Sequence, residues 1–158
     1  MWTTVRGKNR IFLKPYEPTW PENCLSSDFF KRRLRRQTQN WLADRSYAFL
    51  IFDKDSDKLI GGMNINNVIR GVSQNASLGY WLSEDAQGHG YMAEAMILTL
   101  HYCFTTLRLH RVHAACLMNN ERSKNLLIRA GFEQEGLAKK YLKIDEAWQD
   151  HILFGLCA

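Results

Sequence analysis

Gln87-Gly88-His89-Gly90-Tyr91-Met92 is the stretch whose residue types most directly suggest chemistry. Two glycines sit in a short turn, and beyond it Met92, Met96, Leu100, Cys103 and Leu107 recur at helical spacing. A glycine turn that opens a helix leaves backbone N–H groups unpaired at the positive end of the helix dipole. That is a site for an anion, most often a phosphate. No Gly-Lys-Ser/Thr follows, so this is not a P-loop, and the spacing is not that of a dinucleotide fingerprint. The bland alternative is a tight turn and nothing more.

Other polar residues carry weaker signals. Asn64, Asn66 and Asn67 crowd a predicted loop ending at Arg70-Gly71, either as turn formers or as donors lining a polar groove. Asn120 suits the N-cap of a short helix that contains Leu126 and Leu127 and stops at Gly131. Tyr141 is the one aromatic in the polar connection Lys139–Asp145. His101, His110, His113 and His151 read as structural, and the four cysteines show no metal-binding spacing.

The elements that must position these groups follow from periodicity. Residues 1–27 show no clear period and include the stiff Pro15-Tyr16-Glu17-Pro18 segment. Ser27 or Asp28 caps a predicted helix with Phe30, Leu34, Trp41 and Leu42 on its apolar face. Ala48–Phe52 and Leu59–Ile65 read as a hairpin. Ala76, Leu78, Tyr80 and Leu82 alternate as one face of a third strand. After the glycine turn and its helix come the strand Arg111–Leu117, a short helix, and strands over Phe132–Leu137 and Gln149–Leu156. This order predicts an α+β fold, a mainly antiparallel sheet with helices on its faces.

The 158 residues suffice for one domain with a sizeable core, residues 1–158. With 46% apolar and 23% charged residues the composition is globular, and no apolar run is long enough to span a bilayer. The first residues lack the apolar core of a signal peptide, and buried thiols fit a cytoplasmic protein. The net charge of +5 is densest at Lys31, Arg32, Arg33, Arg35 and Arg36. Such a run is ordinarily a solvated helix face, or a field that attracts a phosphorylated cofactor or a ribonucleoprotein surface. Nothing indicates sequence-specific nucleic-acid reading.

Three ordered segments, LGYWLSEDAQGHGYMAEA, NNERSKNLLIRAGFEQEG and WQDHILFGL, resemble the GNAT acyl-CoA N-acyltransferases. KPYEP and NVIRG are similar to the ribosomal-protein N-terminal acetyltransferases of that family, above all the alanine-directed type. The resemblance implies acetyl-CoA as cofactor and transfer of an acetyl group to an amine. It implies that backbone groups of Tyr80, Trp81, Leu82 and Ser83 pair with the pantetheine arm, and that Gln87, Gly88, His89, Gly90, Tyr91 and Met92 wrap the pyrophosphate. Asn120 would contact the arm, and Ser123 would assist the leaving thiolate. The acceptor would be a protein N-terminus, that of a ribosomal protein, met by a monomer or homodimer. The alternatives are a small-amine acetyltransferase and a CoA-binding module without turnover.

The chain departs from the family pattern at Asp85, where Gln or Arg is common. It also departs at Leu127, where many members carry a tyrosine acid, and at Ala115, where some carry a glutamate base. The family's first strand and much of its first helix have no evident counterpart. The mechanism expected is therefore attack by an amine that is already neutral. A peptide α-amine has a pKa of ~7.7–8.0, against ~10.4 for lysine. Glu17 and Asp145 are the candidates to accept the proton. Asn64, Asn66 and Tyr141 are the expected acceptor contacts.

Overall fold

The computed structural model describes residues 1–158. Short helices α1 (Trp2–Lys8) and α2 (Arg10–Leu13), a 3-10 turn (Lys14–Tyr16) and helix α3 (Ser27–Leu42) precede the sheet. Then follow β1 (Tyr47–Phe52), β2 (Leu59–Ile69), β3 (Asn75–Leu82), α4 (Tyr91–His101), β4 (Arg111–Leu117), α5 (Glu121–Arg129), β5 (Glu133–Ile144) and β6 (Ala147–Cys157). One six-stranded sheet runs β1-β2-β3-β4-β6-β5. Every neighbouring pair is antiparallel except β3 with β4. A parallel pair needs a crossover, and α4 supplies it.

The β3–β4 pairing is brief. It covers Asn75–Ser77 against Arg111–His113 and goes no further, so the two strands part like a fork. The main core lies on the side of β3 that Ala76 and Leu78 face. There they meet Met63 and Ile65 of β2, Met96, Leu100 and Cys103 of the α4 segment, and Leu127 of α5. Alternation along a strand puts Trp81 on the opposite face, where it packs with Trp2, Leu13 and Leu59. The N-terminal helices thus cover the second face of β3.

Four expectations change. Residues 2–13 are helical, because Trp2, Arg6, Asn9 and Leu13 are buried at spacings of four, three and four. The period went unread because two of its members are polar. Asn64, Asn66 and Asn67 belong to β2, not to a loop, with an irregular register between Asn66 and Ile69. Lys139–Ile144 continue β5, so its hairpin turns at Asp145 and Glu146, both at positive φ. The cap of α3 is Ser26, whose Oγ accepts from Phe29 N at 3.1 Å.

Candidate active site

The fork opens into a cleft of about 710 Å³. Its walls are the 3-10 turn with Tyr16 and Glu17, the end of β3 (Tyr80–Leu82), the Gln87–Met92 turn and the start of α5 with Asn120 and Ser123.

The β3 wall is half a strand pair. Ser83 N donates to Ile60 O at 2.7 Å, and Leu82 and Tyr80 lie opposite Gly61 and Met63 of β2. Hydrogen-bonding direction alternates along an antiparallel strand. Tyr80 and Leu82 therefore turn their N–H and C=O groups into the fork, while Ser83 turns its N–H away. An extended polyamide chain laid in the fork would meet these groups as it would a neighbouring strand.

The opposite rim is the helix start foreseen from the sequence. Gly88 and Gly90 have φ of +80° and +84°, the left-handed region that a side chain adopts at a cost. Gly90 is the N-cap of α4 and offers no side chain, so the first N–H groups of the helix are left for an anion. Gln87 Nε2 donates to Leu82 O at 3.3 Å and ties the turn to the strand end. Tyr91 Oη donates to the Asp53 carboxylate, which Ser56 and Tyr91 together hold down at about 2. That contact fastens the helix start to the β1–β2 turn.

Asn120 caps α5, accepting from Ser123 N at 3.1 Å. The other end of α5 has a Schellman closure, with Gly131 N on Ile128 O and Phe132 N on Leu127 O, both 3.0 Å. Fixed at both ends, α5 holds Ser123 Oγ 2.6 Å from Tyr80 Oη across the fork. Burial pushes the Tyr80 phenol up to about 12, against a smaller opposing effect of the Ser123 hydrogen bond. The hydroxyl therefore stays protonated at any physiological pH. Leu127, where a tyrosine acid was sought, is wholly buried in the core.

Glu17 reaches the cleft but is already engaged. Arg6 Nη1 donates to its Oε1 at 2.7 Å, Arg6 Nη2 binds Oε2, and Trp20 Nε1 donates to Oε2 at 2.7 Å. The guanidinium in turn lies 4.2 Å from the Trp20 ring centre and 4.8 Å from that of Trp81. The second acidic residue in the cleft wall, Glu121, has Lys124 Nζ at 3.8 Å.

Other expected residues lie elsewhere. Asp145 pairs with Lys14 at 3.5 Å and lines a separate cavity with Pro15 and Trp148, so it does not share the cleft with Ser123. Tyr141 rests against His151, their rings 5.9 Å apart. Asn64 and Asn66 pair across from Gly79 and Ser77, behind β3. Ser83 and His89 are absent from the cleft lining, and no group of side chains is arranged to hold a metal ion.

Sequence reasoning missed four contributors. Arg6 was hidden in a stretch without visible period. Arg122 and Arg129 of α5 line the same cleft as the Gln87–Met92 turn, and their i, i+7 spacing on the predicted helix was the available signal. The side chain of Tyr80 carries no local signal, because its partner Ser123 lies 43 residues away in the chain.

Residues 9–133 match the acetyltransferase (GNAT) domain model. The chain belongs to the GNAT acetyltransferase family. Over 150 residues this GNAT enzyme is 39% identical to the [ribosomal protein uS5]-alanine N-acetyltransferase of Escherichia coli K12, covering 95% of its own length and 77% of the relative's. It superposes with a TM-score of 0.94 on the ribosomal-protein-S5-alanine acetyltransferase of Vibrio fischeri, at 34% identity, covering 98% of this chain and 85% of that one. A second structural match is RimJ of Mycobacterium smegmatis in complex with CoA-disulfide. Its TM-score is 0.93 and its identity 29%, over 99% of this chain and 76% of that one. As an N-acetyltransferase the protein takes its acetyl group from acetyl-CoA, a thioester that carries a pyrophosphate and an amide-rich arm. The left-handed glycines, the bare start of α4, the two arginines and the unpaired side of β3 fit those parts in turn.

Proposed function

We propose that the acceptor is the α-amine of a protein N-terminus, of the alanine-type ribosomal proteins on which the relatives named above act. The observation that supports this is the state of the cleft's acidic groups. Glu17 and Glu121 both face a cation, and no histidine lines the wall. An acceptor that must lose its proton to a strong base is poorly served here, whereas an α-amine is substantially neutral near pH 7. The neutral nitrogen attacks the thioester carbonyl, whose oxygen is polarised by the N–H groups that Tyr80 and Leu82 aim into the fork. Ser123 donates to the departing sulfur, and Asn120 holds the start of its helix. Gln87–Met92 hold the pyrophosphate, with Arg122 and Arg129 beside them. Glu17, immobilised by Arg6 and Trp20, is a fixed polar group in the cleft wall that helps hold the amine in place. The exposed cations Lys31, Arg32, Arg35 and Arg36 on α3 form no ion pairs and favour approach to a ribonucleoprotein surface.

The test is a peptide beginning with alanine or serine and containing an internal lysine, compared with the same peptide blocked at its N-terminus. Mass spectrometry is expected to find acetyl only on the free terminus. Equal label on the lysine of the blocked peptide would reject the assignment and favour a small-amine or lysine acceptor.

A further inference from the structure

Tyr80 and Ser123 come from elements far apart in sequence, yet both line the cleft and their hydroxyls meet at 2.6 Å. Distance alone permits either to donate. The acidity of the two hydroxyls decides the direction. Tyr80 Oη makes no other hydrogen bond within the protein, and its strand packs against the core. A phenol is the stronger donor and the weaker acceptor of the two hydroxyls, so Tyr80 donates and Ser123 accepts. With Tyr80 as donor, the Ser123 proton is left to turn toward the cleft that Ser123 lines or toward the neighbouring Cys116 thiol.

Building on the role given to Ser123 above, we propose that Tyr80 is a positioning residue for acetyl transfer. Its phenol donates to Ser123 Oγ and commits the serine's own proton to the departing thiolate. The new bond is between the amine nitrogen and the carbonyl carbon, and the bond broken is carbon–sulfur. The Ser123 proton passes to sulfur with that electron pair. Ser123 regains a proton, through cleft water, from the nitrogen that has become an amide. Tyr80 keeps its proton throughout and sharpens the donor it touches, since hydrogen bonds in series polarise one another. The phenol thus stands beside the serine from β3, while Leu127 of α5 is buried in the core.

The experiment is a double-mutant cycle of Tyr80→Phe and Ser123→Ala, read on whichever amine the unaltered enzyme turns over. Identity of the acceptor and the role of Tyr80 then fail separately. Tyr80→Phe should lower kcat about tenfold while the Kd for CoA by calorimetry stays within about twofold, the size of one charge-assisted hydrogen bond. Adding it to Ser123→Ala should cause no further loss, because Tyr80 acts only through the serine. Both effects should shrink with an aryl thioester donor, whose thiol leaves without help. Incorporating 3-fluorotyrosine at position 80 preserves shape and strengthens the donor, and should raise kcat. Normal turnover by Tyr80→Phe, multiplied losses in the double variant, a loss confined to CoA binding, or no response to fluorination would each overturn the proposal.

Discussion

At the scale of single residues, the site depends on where hydroxyl protons point. Ser123→Ala should lower kcat by about tenfold to a hundredfold with little change in CoA affinity, since its contact strengthens only as charge develops on sulfur. Stopped-assay kinetics beside calorimetry distinguish this from a binding role, in which KM alone would rise. The pH profile follows from the same groups. Activity should climb as the acceptor α-amine deprotonates near pH 8 and then level off. Tyr80 adds no falling limb below about pH 10, because burial holds its phenol up to about 12. The linkage has the same sign: with the folded value raised, its stabilising contribution is full below the unfolded value near 10 and disappears as pH rises through 12. A kcat/KM profile with a descending limb near pH 9 would contradict this.

At the scale of elements, the Gln87–Met92 turn and α5 both line the cleft, and each has its own part in the proposed cofactor contact. Gly90→Val should raise the Kd for CoA by about tenfold or more, because a β-branched residue at φ +84° either strains the N-cap by about 1–2 kcal/mol or re-aims its N–H groups. Unchanged affinity in a folded variant would remove the pyrophosphate from this turn. The α5 arginines act differently. Removing Arg122 or Arg129 should weaken CoA severalfold and flatten the dependence of affinity on salt, as expected when a cation facing an anionic ligand is lost. A titration at two ionic strengths separates them from the glycines, whose effect is steric and insensitive to salt.

For the whole molecule, one buried cation joins the apolar cluster of Trp2, Leu13, Leu59 and Trp81 in attaching the N-terminal layer to the sheet. Arg6 joins Glu17, Trp2, Trp20 and Trp81, with its side chain only 11% exposed and that of Glu17 19%. Arg6→Met should destabilise the fold by about 3–5 kcal/mol, because it leaves the Glu17 carboxylate without its partner. It should also raise KM for the acceptor more than for acetyl-CoA, because the role proposed for Glu17 is to hold the amine in place. Urea unfolding beside steady-state kinetics tests both. Pairing the change with Glu17→Gln should recover part of the stability and none of the acceptor affinity.

How much of this could be read from the chain depends on the range of the interaction. The glycine turn opening α4, the Asn120 cap and the Gly131 stop are local events, determined by residues within one or two turns of each other. Sequence alone also conveyed the order of strands and helices and, through three ordered motifs, the family and its acetyl donor. Two kinds of structure escaped it. Residues 2–13 form two short helices whose shared buried face includes Arg6 and Asn9, and a polar residue conceals an apolar period unless its partner is known. Glu17 and Trp20 provide one partner, and Glu84 N, which donates to Asn9 Oδ1 at 2.7 Å, provides the other. The active site was the second. That β3 and β4 part after three residues, that Tyr80 meets Ser123, and that Asp145 turns to Lys14 and not to the cleft are facts of distant segments. No local propensity encodes them; they arise only when the sheet is assembled and α5 is packed into the fork.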